Sequence, residues 1–240
     1  MQNEYPFSLL QAISDWQRSS NEKRGLKLKE ECGVLSEEFR TCLFVCYRQI
    51  ALPKGGVWKL IGENRLTEKI SSWTLDIGVA KAFKGGVPTS GQGFQGTILY
   101  LYPPPGSVIV NLSKLFRDDD FLGAMDISKS RIAHYHDGAG RYKNSQSEVV
   151  LEIDAVTPDG IYSLGGHSSP LEELVAQAAE LVYGRSATET ERQQLFLDAT
   201  QAGVSVGPSW LSMDATRRVL ARAKPRAEVL REIKCNQDVK

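Results

Sequence analysis

Three short stretches of this sequence hold side chains whose types and spacing suit anion binding and acid–base work. Arg48 ends the apolar run LFVCYR. A guanidinium on a buried strand is costly to desolvate unless it meets an anion, and its planar fork suits phosphate or carboxylate. An internal carboxylate would satisfy it equally well. Ser72 and Thr74, in ISSWT, lie two apart and so share one face at a strand's end. Thr74 is also placed to cap the helix that LDIGVAKAF predicts, with Leu75, Val79, Ala82 and Phe83 at helical spacing. Gln146 and Glu148, in QSE ahead of VVLEID, point the same way at a strand entrance. A carboxylate there can orient a sugar hydroxyl, and an amide two residues earlier can hold a second molecule. A solvated strand edge is the plainer reading of that pair.

The elements that must position these residues fall into three regions. Residues 5–40 read as helical, with Phe7, Leu10, Ile13 and Trp16 near the helical period and the charged NEKRGLKLKEE interrupting them. Residues 41–165 read as β-rich. TCLFVCYRQIAL, TILYLY, SVIVNL and SEVVLEID are expected strands, with PPPG between the second and third. Residues 168–236 read as helical again. Ser169 and Glu172 suggest a capping box with Pro170 at the first helical position, followed by the stripe Leu171, Leu174, Val175, Ala178, Leu181 and Val182, closed by Gly184. Thr188 with Glu191 opens a second helix running to Gly203, and a third starts near Asp214 with Pro225 inside it. Helix, then strands, then helices is not a βαβ alternation, so α+β is favoured over a doubly wound parallel sheet. The expected organisation is a helical segment over 1–40, a core over 41–167 and a helical extension over 168–240.

Other features point elsewhere and lose to simpler readings. GQGFQG at 91–96 matches GxGxxG, but it follows a helix and precedes a strand, the reverse of a dinucleotide fingerprint. The glycine-rich KGGVPTSGQGFQG reads instead as a loop. HYH at 134–136 would set His134 and His136 on one strand face. A metal there would need His167 or a carboxylate of RDDD at 117–120, and surface histidines are the simpler expectation. RDDD itself reads as a turn or a helix start. Cys32, Cys42, Cys46 and Cys235 form no CxxC pair. They read as reduced structural thiols, with Cys42 and Cys46 on one strand face.

The bulk numbers set outer limits. The chain has 240 residues, enough for one sizeable core or a domain with a helical appendage. Lys+Arg and Asp+Glu both total 29, so no broad electrostatic nucleic-acid surface is implied, although a local basic patch remains open. No apolar run approaches the roughly 18 residues of a membrane span. The N-terminus lacks the basic region and cleavage site of a secretory signal, and a protein delivered by a dedicated secretion machine would look the same. A reducing, cytoplasmic site of action is the expectation.

Taken together, YR at 47–48, SWT at 72–74 and QSE at 146–148 resemble the Arg–Ser–Glu class of mono-ADP-ribosyltransferases. In that family an aromatic-arginine strand, a Ser-x-Ser/Thr strand leading into a helix, and a Gln/Glu-x-Glu turn before an apolar strand occur in this order. The resemblance covers about residues 40–155. Threonine replaces the last serine of the middle motif, and the helices on either side lie outside the match. Tyr142, four residues before Gln146, stands where the family's loop often carries an aromatic.

The resemblance implies a core of two packed antiparallel sheets with NAD as co-substrate in the cleft between them, and no metal. Arg48 would hold the NAD phosphates or the nicotinamide ribose. Ser72 would fix the catalytic Glu148 and the nicotinamide side, with Thr74 beside it. Trp73 or Tyr142 would stack on a ring, and Trp73 is equally well placed for the core. Glu148 would hydrogen-bond the ribose 2′-hydroxyl as nicotinamide leaves, and the loop 84–96 would flank the cofactor. Gln146 implies an acceptor other than arginine: a nucleic-acid base in RNA or DNA, or a protein amide. That describes a toxin-like transferase, with a neutralising antitoxin or a chaperone as a further partner for the C-terminal helices. An NAD glycohydrolase without a macromolecular acceptor and a non-catalytic partner-binding module are the competing expectations.

Overall fold

The computed structural model describes residues 5–89, 91–202 and 206–238. Two amphipathic helices come first, α1 (Phe7–Arg18) and α2 (Glu22–Glu31). The strands follow, with short helices between them: β1 (Cys46–Pro53), α3 (Lys54–Val57) running on into a π-helical turn, β2 (Leu66–Thr67), β3 (Ile70–Thr74), α4 (Ile77–Ala82), β4 (Phe94–Leu101) and β5 (Val108–Asn111). Then come α5 (Leu112–Leu115), α6 (Asp119–Ser128), α7 (Ala139–Tyr142), β6 (Glu148–Glu152), β7 (Ala155–Val156) and β8 (Ile161–Ser168). The chain closes with α8 (Leu171–Tyr183), α9 (Glu189–Gln201), β9 (Gly207–Trp210) and α10 (Met213–Asp238).

Seven strands form one antiparallel sheet in the order β5-β6-β3-β1-β4-β8-β9, and β2 pairs with β7 in a small second sheet. The expected α+β composition is present, but in place of the two packed sheets that the resemblance implies there is one seven-stranded sheet and a two-stranded one. The large sheet is continuous in its hydrogen bonding, but only just. β3 and β6 pair along five residues, from Ile70↔Glu152 to Thr74↔Glu148. β1 and β4 pair along eight, from Cys46↔Leu101 to Pro53↔Phe94. Between these two ladders, β1 and β3 share the single pair Tyr47↔Thr74.

Two apolar cores flank the sheet. On one face, Leu9, Leu10, Ile13 and Trp16 of α1 and Leu28 of α2 pack with Phe121 and Met125 of α6 against Val110 and Val150. On the other, Trp73, Leu99, Val149 and Leu151 are closed in by Leu60, Val156, Leu211 and Leu220. Val149, Val150 and Leu151 are therefore buried on both faces of β6, which explains why this strand reads as an unbroken apolar run. The N-terminal helices share a core with the sheet. The C-terminal segment docks as well: β9 pairs with β8, and the hydroxyl of buried Thr216 accepts a hydrogen bond from Leu164 N.

Several local expectations need correction. The strand expected from residue 41 starts at Cys46, because the preceding residues run past the end of β4; Leu43 and Phe44 are exposed. Cys42 thus lies outside the strand, although its Sγ is 3.8 Å from that of Cys46, and all four cysteines are free. HYH is not a strand: His134 is left-handed (φ 57°) and Tyr135–Asp137 is a 3-10 turn. Pro170 is the N-cap of α8, extended and without a side-chain cap, so the helix starts one residue later than expected. Leu181 and Val182 of its expected apolar stripe are exposed. Thr188 and Glu191 do form the capping box of α9, and Asp118 of RDDD caps α6. Helix α9 ends at Gln201; Gly203, its expected end, lies outside the described residues. The strand β9 was not expected at all.

Candidate active site

Where the ladder between β1 and β3 stops, the backbone is left with unpaired polar groups, and side chains replace the missing bonds. Arg48 Nη1 donates to the carbonyl of Ser72 at 2.8 Å. Its Nε lies 3.8 Å from Glu68 Oε2, a loose ion pair that leaves that nitrogen buried without a hydrogen bond. The fork between the strands opens into a cleft of about 500 Å³. Arg48, Ser72, Trp73, Thr74, Tyr142, Gln146 and Glu148 all line it, so every site residue expected from the sequence comes to one place.

Strand register explains how Ser72 meets Glu148. Thr74 pairs with Glu148 and Ser72 with Val150, which makes Ser72 and Glu148 diagonal neighbours on one face. Ser72 Oγ donates to Glu148 Oε1 at 2.5 Å. The turn before Glu148 is clasped to β3. Thr74 Oγ1 donates to the Gln146 carbonyl at 2.7 Å, and Leu75 N donates to the Ser147 carbonyl at 3.0 Å. Lys143 and Ser147 hold positive φ, 43° and 44°, at a cost of about 1–3 kcal/mol each that the clasp must offset. Such strain concentrates at sites where a side chain must be aimed.

The α1 helix supplies the part that the sequence did not reveal. Trp16 Nε1 donates to Glu148 Oε1 at 2.9 Å, and Gln17 Nε2 donates to Glu148 Oε2 at 3.3 Å. Trp16 had been expected only as the last member of an apolar stripe. The signal that could have found it is its indole N–H, which needs a partner once the ring is buried. Gly25 lets α2 approach closely: a Cβ there would lie 2.9 Å from Ile70 and 3.1 Å from the Trp16 ring. Arg18 also lines the cleft, and its Nε is buried without a hydrogen bond.

Glu148 is 4% exposed. Desolvation raises its pKa above the ordinary carboxylate value, opposed by the hydrogen bonds from Ser72, Trp16 and Gln17 and by the Arg48 charge. The outcome is a buried carboxylate aimed by three donors, with a guanidinium in the same cleft. Such a group can accept a hydrogen bond from a ligand hydroxyl and stabilise positive charge developing beside it.

The other residues divide by what their polar atoms already do. Thr74 is committed to Gln146 and to the Asp76 backbone N–H, and the helix cap is Asp76, not Thr74. Trp73 is 2% exposed, belongs to the core and donates its N–H to Ser71. Tyr142 is half-buried, with the Arg141 guanidinium 5.2 Å from its ring centroid. Among the described residues no group of three or more His, Cys, Asp or Glu is arranged to hold a metal, and no helix is long and apolar enough to cross a membrane. No family model, curated protein or solved structure matches this chain.

Proposed function

We propose that this chain is a mono-ADP-ribosyltransferase of the Arg–Ser–Glu type, which moves ADP-ribose from NAD to a macromolecular acceptor other than arginine. The observation that carries the proposal is the Ser72–Glu148 hydrogen bond of 2.5 Å, made in a cleft that also holds Arg48. The residues fit a dinucleotide. Two arginines whose buried Nε atoms make no hydrogen bond, Arg48 and Arg18, line the cleft and suit a pyrophosphate. A volume near 500 Å³ lies within the usual range for ligand sites.

NAD supplies a good leaving group: the bond from ribose C1′ to the nicotinamide nitrogen breaks, its electron pair neutralises the pyridinium, and a lone pair of the acceptor forms the new bond to C1′ while the acceptor's proton passes to solvent. Glu148 stabilises the positive charge that builds on the ribose, and it does so as the carboxylate. Ser72 holds the carboxylate in line. Arg48 holds the phosphates or the nicotinamide ribose. Gln146, which lines the cleft and is half-buried, carries an amide that can donate to and accept from a base or an amide side chain.

Incubation with labelled NAD and cell lysate, followed by separate nuclease and protease digestion, tests this. The expected result is label on nucleic acid or protein, lost in Glu148→Ala while circular dichroism is unchanged. A fully active Glu148→Ala would overturn the proposal, and nicotinamide release without any labelled macromolecule would leave an NAD glycohydrolase.

A further inference from the structure

Cys42 and Cys46 approach one another just ahead of the cleft's arginine, Arg48. Their Sγ atoms are 3.8 Å apart, and each lies near the Phe44 carbonyl, at 3.5 Å and 3.7 Å. A disulfide needs about 2.05 Å between its sulfurs, so closure by about 1.8 Å would join them. Among the described residues no other two cysteines make such a contact. Cys32 is buried, which pushes its thiol up to about 12, and Cys235 is exposed on α10.

The two members of the pair are held differently. Cys46 is fully buried, opens β1 and pairs with Leu101. Cys42 is half-buried at the edge of the same core and lies in residues 41–45, which form no helix or strand. Leu43 and Phe44, between the two thiols, are 88% and 70% exposed. Little packing therefore opposes a shift of Cys42 toward a fixed Cys46. A reagent from solvent meets Cys42 first, and Cys46 waits behind it. Ionisation follows the same division. A hydrogen bond from the Cys46 thiol to the Cys42 sulfur holds Cys42 below the ordinary thiol value and Cys46 above it, and burial raises Cys46 further.

We propose that Cys42 and Cys46 form an oxidation site for a hydroperoxide, in which Cys42 attacks and Cys46 resolves. The Cys42 thiolate attacks one peroxide oxygen. The S–O bond forms, the O–O bond breaks, and the departing oxygen takes a proton from solvent and leaves as water or an alcohol. Cys42 is then a sulfenic acid, oxidised by two electrons, and the peroxide is reduced by two. The Cys46 sulfur next attacks the Cys42 sulfur. The S–S bond forms, the S–O bond breaks, and hydroxide leaves as water with the Cys46 proton. The bond fastens the exposed stretch to the first residue of β1, two residues ahead of Arg48. A thiol reductant restores the pair. None of this depends on which ligand the cleft takes.

The test treats the full chain with hydrogen peroxide, alkylates the remaining thiols and digests with trypsin, which cuts after Arg40 and Arg48 and so leaves both cysteines in one peptide. That peptide is expected to emerge lighter by two hydrogens and closed to alkylation until reductant is added. In Cys46→Ala, Cys42 should stop at the sulfenic acid and be trapped by dimedone. In Cys42→Ala, Cys46 should stay reduced. The wild-type arm requires no variant to fold. The proposal is overturned if the wild-type peptide remains an alkylatable dithiol after exposure long enough to oxidise Cys235, or if Cys42 is recovered joined to another cysteine. Dimedone labelling of Cys46 in folded Cys42→Ala would overturn the assigned order.

Discussion

Trp16 and Glu148 are joined by a buried hydrogen bond of 2.9 Å across 132 residues of chain, with the indole nitrogen as donor. The carboxylate that β6 presents is thus fixed from outside the sheet, by a helix that precedes every strand. This bond lowers the Glu148 pKa, working against desolvation.

Trp16→Phe keeps the ring and removes the donor. If Glu148 works as a carboxylate, activity falls as pH drops through its pKa. Losing a donor raises that pKa, so the acid limb of the pH–rate profile should move to higher pH. A purely structural role for Trp16 would lower stability and leave the limb in place. Nicotinamide release measured across pH separates the two.

Glu148→Gln should be strongly impaired yet more stable than the wild type at neutral pH. Burial raises the folded-state pKa of Glu148 above its ordinary 4.5. The folded state therefore binds this proton more tightly than the unfolded chain does. That contribution to stability is complete below about 4.5 and is lost as pH rises through the folded-state value. Glutamine cannot ionise and escapes the loss. The melting-temperature gain of the variant should grow from pH 4 to pH 8, and turnover should fall by roughly 10²–10³, as for removal of one transition-state contact. A gain independent of pH would mean that the carboxylate is not desolvated.

Gly138→Ala tests how α1 is seated. A Cβ at residue 138 would collide with the Ser14 backbone carbonyl and lie 2.6 Å from its hydroxyl. Ser14 precedes Trp16 by half a turn, so relief of the clash must move the Trp16 donor. The expected cost is about 1–3 kcal/mol in denaturant unfolding, as for overpacking elsewhere. Activity at temperatures where the variant remains folded should drop as well. A stable but fully active variant would separate α1 from the chemistry.

Polyarginine should remain unlabelled by the wild-type chain under conditions that label the true acceptor. The amide of Gln146 cannot pair with a guanidinium as a carboxylate would. Robust labelling of polyarginine would remove Gln146 as the basis for acceptor choice.

Arg48, Ser72 and Glu148 were legible because each breaks a strong local pattern: a charge on an apolar strand, and hydroxyls or a carboxylate where a strand begins or ends. Register then did the rest, since the pairing Thr74↔Glu148 is what places Ser72 beside the carboxylate. Trp16 and Gln17 were not legible. A tryptophan in an apolar stripe satisfies the helical period whether or not its N–H has a distant partner. The strand β9 was hidden because GPSW has the composition of a turn, and it becomes a strand only through its pairing with residues 165–168. HYH failed for the opposite reason: its alternation looked like a strand, but no strand lies beside it to pair with.

A seven-stranded sheet joined across its middle by one rung, Tyr47↔Thr74, with one guanidinium bond beside it, leaves most of the bracing across this seam to the core that Trp73 and Val149 share with Cys46 and Leu99. Arg48 stands on one flank, Ser72 and Glu148 on the other. A molecule gripping all three would act as a strut across the seam.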